Sequence, residues 1–225
     1  MDALHPALLP SLDRLPPDRP VVLLTRHSLR EQPASGFAGY DVPLTAEGVA
    51  LARAWGARLG RPLHLARSSP VGRCVDTARA MVEAAGAPLA VDTHPLLVEP
   101  GSFVQDLRAA GPLFLALGPV AFANRHFAGE VPGVLPPAEG AARLVALAED
   151  CLGPPGSLSL LVTHDTVLAA VVHALRGAQA ITDDDWPWMM EGAFLWFADG
   201  AVHWLWRGEA GSRGWPGLGA PPAAT

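Results

Sequence analysis

The sequence predicts an α/β domain of three layers: a mainly parallel central sheet, helices on both faces, and a lid inserted near the middle of the chain. Three observations carry this expectation. Short apolar runs rich in leucine and β-branched residues alternate with stretches of helical period. Half of the residues are hydrophobic and only 17% are charged, which suits a sheet covered on both sides. A chain of 225 residues is also long enough for one well-buried core.

Residues 1–19, with Pro6, Pro10, Pro16 and Pro17, read as an extension leading into the domain proper, which is expected over 20–207. The run 21–25, bounded by Pro20 and a polar cluster, fits a central parallel strand better than a helix. Thr45 can cap the next helix, with Glu47 in its first turn and Val49, Leu51, Ala52, Trp55 and Leu59 along it, until Gly60 and Pro62 stop it. A second strand is expected at 63–66, a helix at 70–85 ended by Gly86, and a short third strand at 89–91. Residues 99–137 are rich in proline, glycine and aromatics without a clean period, as a lid would be. Phe103, Phe114, Phe122 and Phe127 in that stretch are read as filling a small helical subdomain, with a substrate pocket as the alternative. Helix returns at 138–152, a strongly apolar strand follows at 157–163, and a helix continues at 167–175. Residues 194–198 and 202–206 look like a closing hairpin that turns at Asp199 and Gly200, its alternate tryptophans packing on a helix. Residues 208–225, rich in glycine, proline and alanine, are expected to form a flexible tail.

A formal net charge of −6 gives no overall field that would recruit nucleic acid or an anionic membrane, so any anion must be held by a local pocket. No run approaches the roughly 20 apolar residues of a membrane-crossing helix. The N-terminus shows neither a basic n-region nor an Ala-x-Ala-like cleavage site, and a cytoplasmic location is the expectation. Cys74 and Cys151 read as ordinary buried thiols, with no disulfide framework or zinc knuckle around them. His64, His94, His126, His173 and His203 lack metal-type spacing.

The polar residues that follow the strands carry the chemistry. Thr25, Arg26, His27, Ser28, Leu29 and Arg30 place one histidine between two guanidinium groups at the carboxyl end of the first strand. Thr163, His164 and Asp165 end the last central strand, and Ser68, Ser69, Pro70 and Arg73 follow the second. In a doubly wound sheet such positions gather in one crevice, so the three segments are expected to converge. A phosphoryl group in transfer spreads negative charge over its equatorial oxygens, and arginine forks answer that charge with bidentate hydrogen bonds. Surrounding cations also lower the pKa of an imidazole and keep its attacking nitrogen unprotonated, which makes His27 the candidate nucleophile.

Arg26-His27, together with Ser68-Ser69-Pro70, Arg73 and Thr77-Ala78, resembles the histidine phosphatase superfamily, whose signature is Arg-His-Gly. Asp41, Pro43, Leu44, Thr45 and Gly48, then Glu99, Glu139-Gly140 and the His164 element, extend the likeness in the family's order over roughly residues 20 to 175. The resemblance implies a phosphoglycerate-mutase-like fold and a phosphohistidine intermediate on His27. It further implies phosphate clamping by Arg26, Arg30, Arg73 and His164, with no metal and no cofactor. Glu99 resembles the proton donor of the phosphoglycerate-mutase-like branch. Arg30, Pro33 and the His164-Asp165 pair resemble the acid-phosphatase-like branch, in which the aspartate is the acid. Between Glu99 and Asp165 the preference falls on Glu99, because a lid-borne carboxylate over an anionic phosphate has its pKa raised. Ser28 stands where the family has glycine, and its hydroxyl is expected either to join the phosphate ligands or to crowd them. The leading expectation is thus a metal-independent phosphatase acting on a small phosphorylated molecule, with no nucleic-acid or membrane partner. A mutase and a catalytically weak phosphate-binding or interaction module are the alternatives.

Overall fold

Two strands with every residue buried, β1 (Val21–Arg26) and β4 (Leu158–Thr163), lie parallel and in register at the centre of the sheet. The computed structural model describes residues 4–32 and 39–218, so Pro33, residues 1–3 of the extension and 219–225 of the tail lie outside the described residues. Beside β4 runs β2 (Leu63–Ser68), also parallel, and β3 (Val91–Thr93) completes that side. On the other side β5 (Gly192–Ala198) pairs antiparallel with β1, followed by β6 (Ala201–Trp206) and β7 (Glu209–Gly214). Among the described residues the sheet is therefore mixed, seven strands in the order β3-β2-β4-β1-β5-β6-β7.

The period-two alternation of β1 divides the core. Val21 and Leu23 join Leu160 and Val162 on one face, under α2 (Ala46–Gly56) and α3 (Gly72–Ala84), where Ala52, Trp55, Ala78 and Met81 are buried. Val22 and Leu24 join Leu161 and Leu195 on the other, under α6 (Pro137–Asp150) and α7 (Asp165–Arg176), which contribute Leu144, Val145, Leu168 and Val171. Each fully buried valine or leucine contributes about 1.5–3 kcal/mol, so both faces of the central strands are strongly held. Thr45 caps α2 through its side chain, accepting from the Gly48 N–H, and Glu47 stands in the first turn. The hairpin turns at Asp199 and Gly200, both with positive φ (52° and 71°), as a two-residue primed turn requires.

One expectation needs correction, and two others are filled in. The segment read as a flexible tail supplies β7 over Glu209–Gly214. Its glycines hid the strand, yet Gly211 is where the Trp204 ring lies against the backbone, 2.3 Å from where a Cβ would stand. The N-terminal extension holds a short helix, α1 (Leu8–Leu12), and Leu8 and Leu15 are buried in the α2/α3 face. Within 99–137, where no period was legible, α4 (Leu107–Leu117) and α5 (Pro119–Phe127) stand. They are short and interrupted, with Pro112 inside α4 and Gly118 joining them at φ 74°. Among the described residues no helix is long and apolar enough to cross a membrane.

Candidate active site

The strand order brings the three polar segments together. β1, β4 and β2 are neighbours and parallel, so their carboxyl ends open on one edge: the His27 N–H donates to the Thr163 carbonyl, and the Ser69 N–H to that of Val162. α3 and α7 begin at this edge, which turns their positive ends toward it. A cavity of about 440 Å³ results, lined by Arg26, His27, Arg30, Arg73, His164 and Asp165, with Glu99 also in its wall.

The His27 ring is buried, and its Nδ1 lies 2.8 Å from the Ser28 carbonyl. A carbonyl only accepts, so Nδ1 carries the proton and Nε2 keeps a lone pair. That lone pair accepts from Arg73 Nε at 3.0 Å. Burial first, then Arg26, lowers the His27 pKa well below the ordinary histidine value, and the imidazole is neutral.

Arg73 also donates through Nη2 to His164 Nδ1 at 3.3 Å and through Nη1 to the Gly39 carbonyl at 3.0 Å. With Nδ1 accepting, the His164 proton sits on Nε2, which donates to the Ser69 hydroxyl at 2.9 Å. Burial and Arg73 bring the His164 pKa down to about 4. The two rings stand 5.5 Å apart at 72°, with one guanidinium bridging them. Cys74 lies against His164, but burial pushes its thiol up to about 12, and it is an unreactive packing residue.

Arg26 is held in place by a 2.7 Å ion pair with Asp165 and by donation to the Pro187 carbonyl at 2.6 Å. Burial alone would raise the Asp165 carboxyl; Arg26 above all, with the Thr166 N–H, keeps it below its ordinary value. Glu99 differs. Its Oε1 accepts from the Ser102 hydroxyl and the Phe103 N–H, its Oε2 from the Val104 N–H, all at 2.8–2.9 Å. Burial outweighs those donors and its pKa is raised.

Arg30 lines the cavity, with Nη1 on the neighbouring Glu31 carbonyl at 3.0 Å. Ser28 is the site residue that the structure turns elsewhere. Its hydroxyl donates to the Gly48 carbonyl at 2.7 Å, its N–H donates to Thr77 Oγ1, and it is fully buried toward α2. The expected Ser28 phosphate contact is corrected accordingly: the side chain neither reaches nor crowds the cavity, because its hydroxyl is turned onto the Gly48 carbonyl in the first turn of α2, which becomes a shared acceptor.

The sequence reading missed several lining groups. Gly39 and Tyr40 reach the site from a loop, with the Tyr40 hydroxyl donating to the Glu99 carbonyl, and Thr166, Leu107, Val98 and Pro119 also line the wall. Of these only Thr166, beside His164 and Asp165, carried a signal. Phe114 and Phe122 line cavity space, the alternative reading, whereas Phe103 is buried in the core.

The family model described as the histidine phosphatase superfamily (branch 1) matches residues 22–189. No curated protein matches the sequence. Among solved structures, a mycobacterial glucosyl-3-phosphoglycerate phosphatase in complex with inorganic phosphate is 21% identical with a TM-score of 0.56, over 84% of this chain and 97% of that one. A phosphoglycerate mutase from Bacillus anthracis is 18% identical with a TM-score of 0.55, over 88% of this chain and 93% of that one. These likenesses establish a phosphoglycerate-mutase-like fold.

Proposed function

The chain belongs to branch 1 of the histidine phosphatase superfamily, and from that premise we propose that it hydrolyses phosphomonoesters through a phosphohistidine on His27, without a metal ion. The observation that supports this most is the state of His27: its proton is fixed on Nδ1 by the Ser28 carbonyl, and its Nε2 lone pair is aimed at the Arg73 guanidinium. A substrate phosphoryl group binding there takes over the donors of Arg73 and meets Arg26, Arg30 and His164. Nε2 is then free to attack phosphorus in line.

As the P–Nε2 bond forms, the ester P–O bond breaks, and the departing oxygen takes a proton from Glu99. Water then attacks phosphorus with the Glu99 carboxylate as base, the P–N bond breaks, and phosphate leaves. Glu99 suits the acid role because burial favours its protonated form, whereas the Asp165 carboxylate is held ionised by Arg26. Asp165 is accordingly a positioning residue: it orients Arg26 and stands in the first turn of α7.

The test is hydrolysis of simple phosphomonoesters with a chelator present. Wild type is expected to turn over, His27→Ala to lose roughly four orders of magnitude or more in kcat, and Glu99→Gln roughly two to four orders. Full turnover by His27→Ala would reject the mechanism.

A further inference from the structure

Beside the arginine-lined cavity lies a second, of about 380 Å³, which shares Glu99, Leu107, Phe114 and Thr166 with it. The rest of its wall is Val104, Ala110, Gly111, Leu115 and Phe122. Glu99 is the only ionisable group among these, and no arginine or histidine is present. Among the described residues, four large hydrophobic side chains are notably exposed, and three of them border these two cavities: Tyr40 (56%), Leu107 (54%) and Leu115 (62%). Apolar surface left open beside a polar anchoring point is what a ligand pocket offers.

We propose that this cavity holds the leaving group of the substrate, and that the leaving group is apolar and uncharged. The inference rests on the phosphatase reading, which places the phosphoryl group among the arginines and its ester oxygen near Glu99. From that oxygen the substrate continues across the shared wall into the chamber of Val104, Phe114, Leu115 and Phe122. A second carboxylate or phosphate on the substrate would enter beside the Glu99 carboxyl with no cation to meet it, and is disfavoured. The substrate class is thus an alkyl or aryl phosphate, distinct from a phosphorylated hydroxy acid.

The experiment compares kcat/KM for a series of primary alkyl phosphates, whose leaving groups differ in length and hardly in basicity, with that for phosphoglycerate. In parallel, calorimetry measures binding of the matching alkylphosphonates, which cannot be hydrolysed. Each added methylene is expected to raise kcat/KM and phosphonate affinity on the order of fourfold until the cavity is filled. Gly111→Leu and Leu115→Asp are each expected to reduce the ratio of long-chain to methyl substrate. A Cβ at Gly111 meets only Leu107 side-chain atoms, at 3.7 and 3.9 Å, and Leu115 is largely exposed, so both chains should fold. Turnover of short esters with no chain-length slope, or a preference for phosphoglycerate, overturns this inference and leaves the phosphatase reading intact. No turnover of any ester, with phosphonate affinity still rising with length, removes the phosphatase reading and keeps the apolar chamber.

Discussion

Glu99 and Asp165 carry the same chemical group into opposite surroundings, and the proposed mechanism takes their roles from that difference. Burial raises Glu99, whereas Arg26 at 2.7 Å holds Asp165 low. The signs give the pH profile. His27, lowered mainly by burial, must be unprotonated, so activity falls as the pH drops through its folded value. Glu99, raised, must be protonated, so activity falls as the pH rises through its value. A bell is expected for kcat/KM with an alkyl phosphate, its acid limb below the ordinary histidine range and its alkaline limb above the ordinary glutamate range. Glu99→Gln should abolish the falling alkaline limb, and Asp165→Asn should keep it; the converse would make Asp165 the acid. The deficit of Glu99→Gln should also shrink with a nitrophenyl ester, whose leaving group needs no proton. Ser28→Gly should leave kcat within about threefold while losing a buried hydrogen bond to Gly48, at a cost of roughly 1 kcal/mol in denaturant titration. At this scale His27, Arg26, Arg73 and His164 were legible, since each follows a strand end within a few residues. Tyr40 and the Gly39 carbonyl were not, because loop and backbone contributions leave no mark in a sequence pattern.

Glycine at Glu139-Gly140 reads as a motif in the sequence and acquires a packing reason in the fold. At Gly140, in the first turn of α6, a Cβ would stand 2.1 Å from Cδ1 of Phe103, whose ring is buried in the same core face. Alanine in a helix ordinarily gains up to about 1 kcal/mol over glycine. Here Gly140→Ala is expected to destabilise by roughly 1–3 kcal/mol through overpacking, as measured by urea unfolding. Unchanged or increased stability would mean that the ring yields freely. The elements that follow simple periods were readable: the buried strands β1 and β4, the capped α2, and the hairpin β5–β6. Those missed have identifiable reasons. β7 is rich in glycine and charge because it is an edge strand. α4 and α5 direct apolar residues at a cavity, and positions 107, 110, 111, 114 and 115 do follow a helical period, but Gly111, Pro112, Gly118 and Pro119 interleave with them and read as loop residues.

Over the whole molecule, the candidate site follows from strand order. Residues as far apart as 27, 73 and 164 meet because β1, β4 and β2 are adjacent and parallel, an arrangement that alternating strands and helices foretold as a class but not as a specific order. An acidic chain thereby assembles a local cluster of arginines around two neutral imidazoles. The most direct test is to quench the enzyme within a single turnover of a radiolabelled phosphomonoester and to map the bound label. The account predicts a transient phosphoryl group, labile in acid and stable in alkali, on the peptide that contains His27, and none in His27→Ala. Label on any other residue, or rapid hydrolysis with no labelled protein at any time, would contradict it.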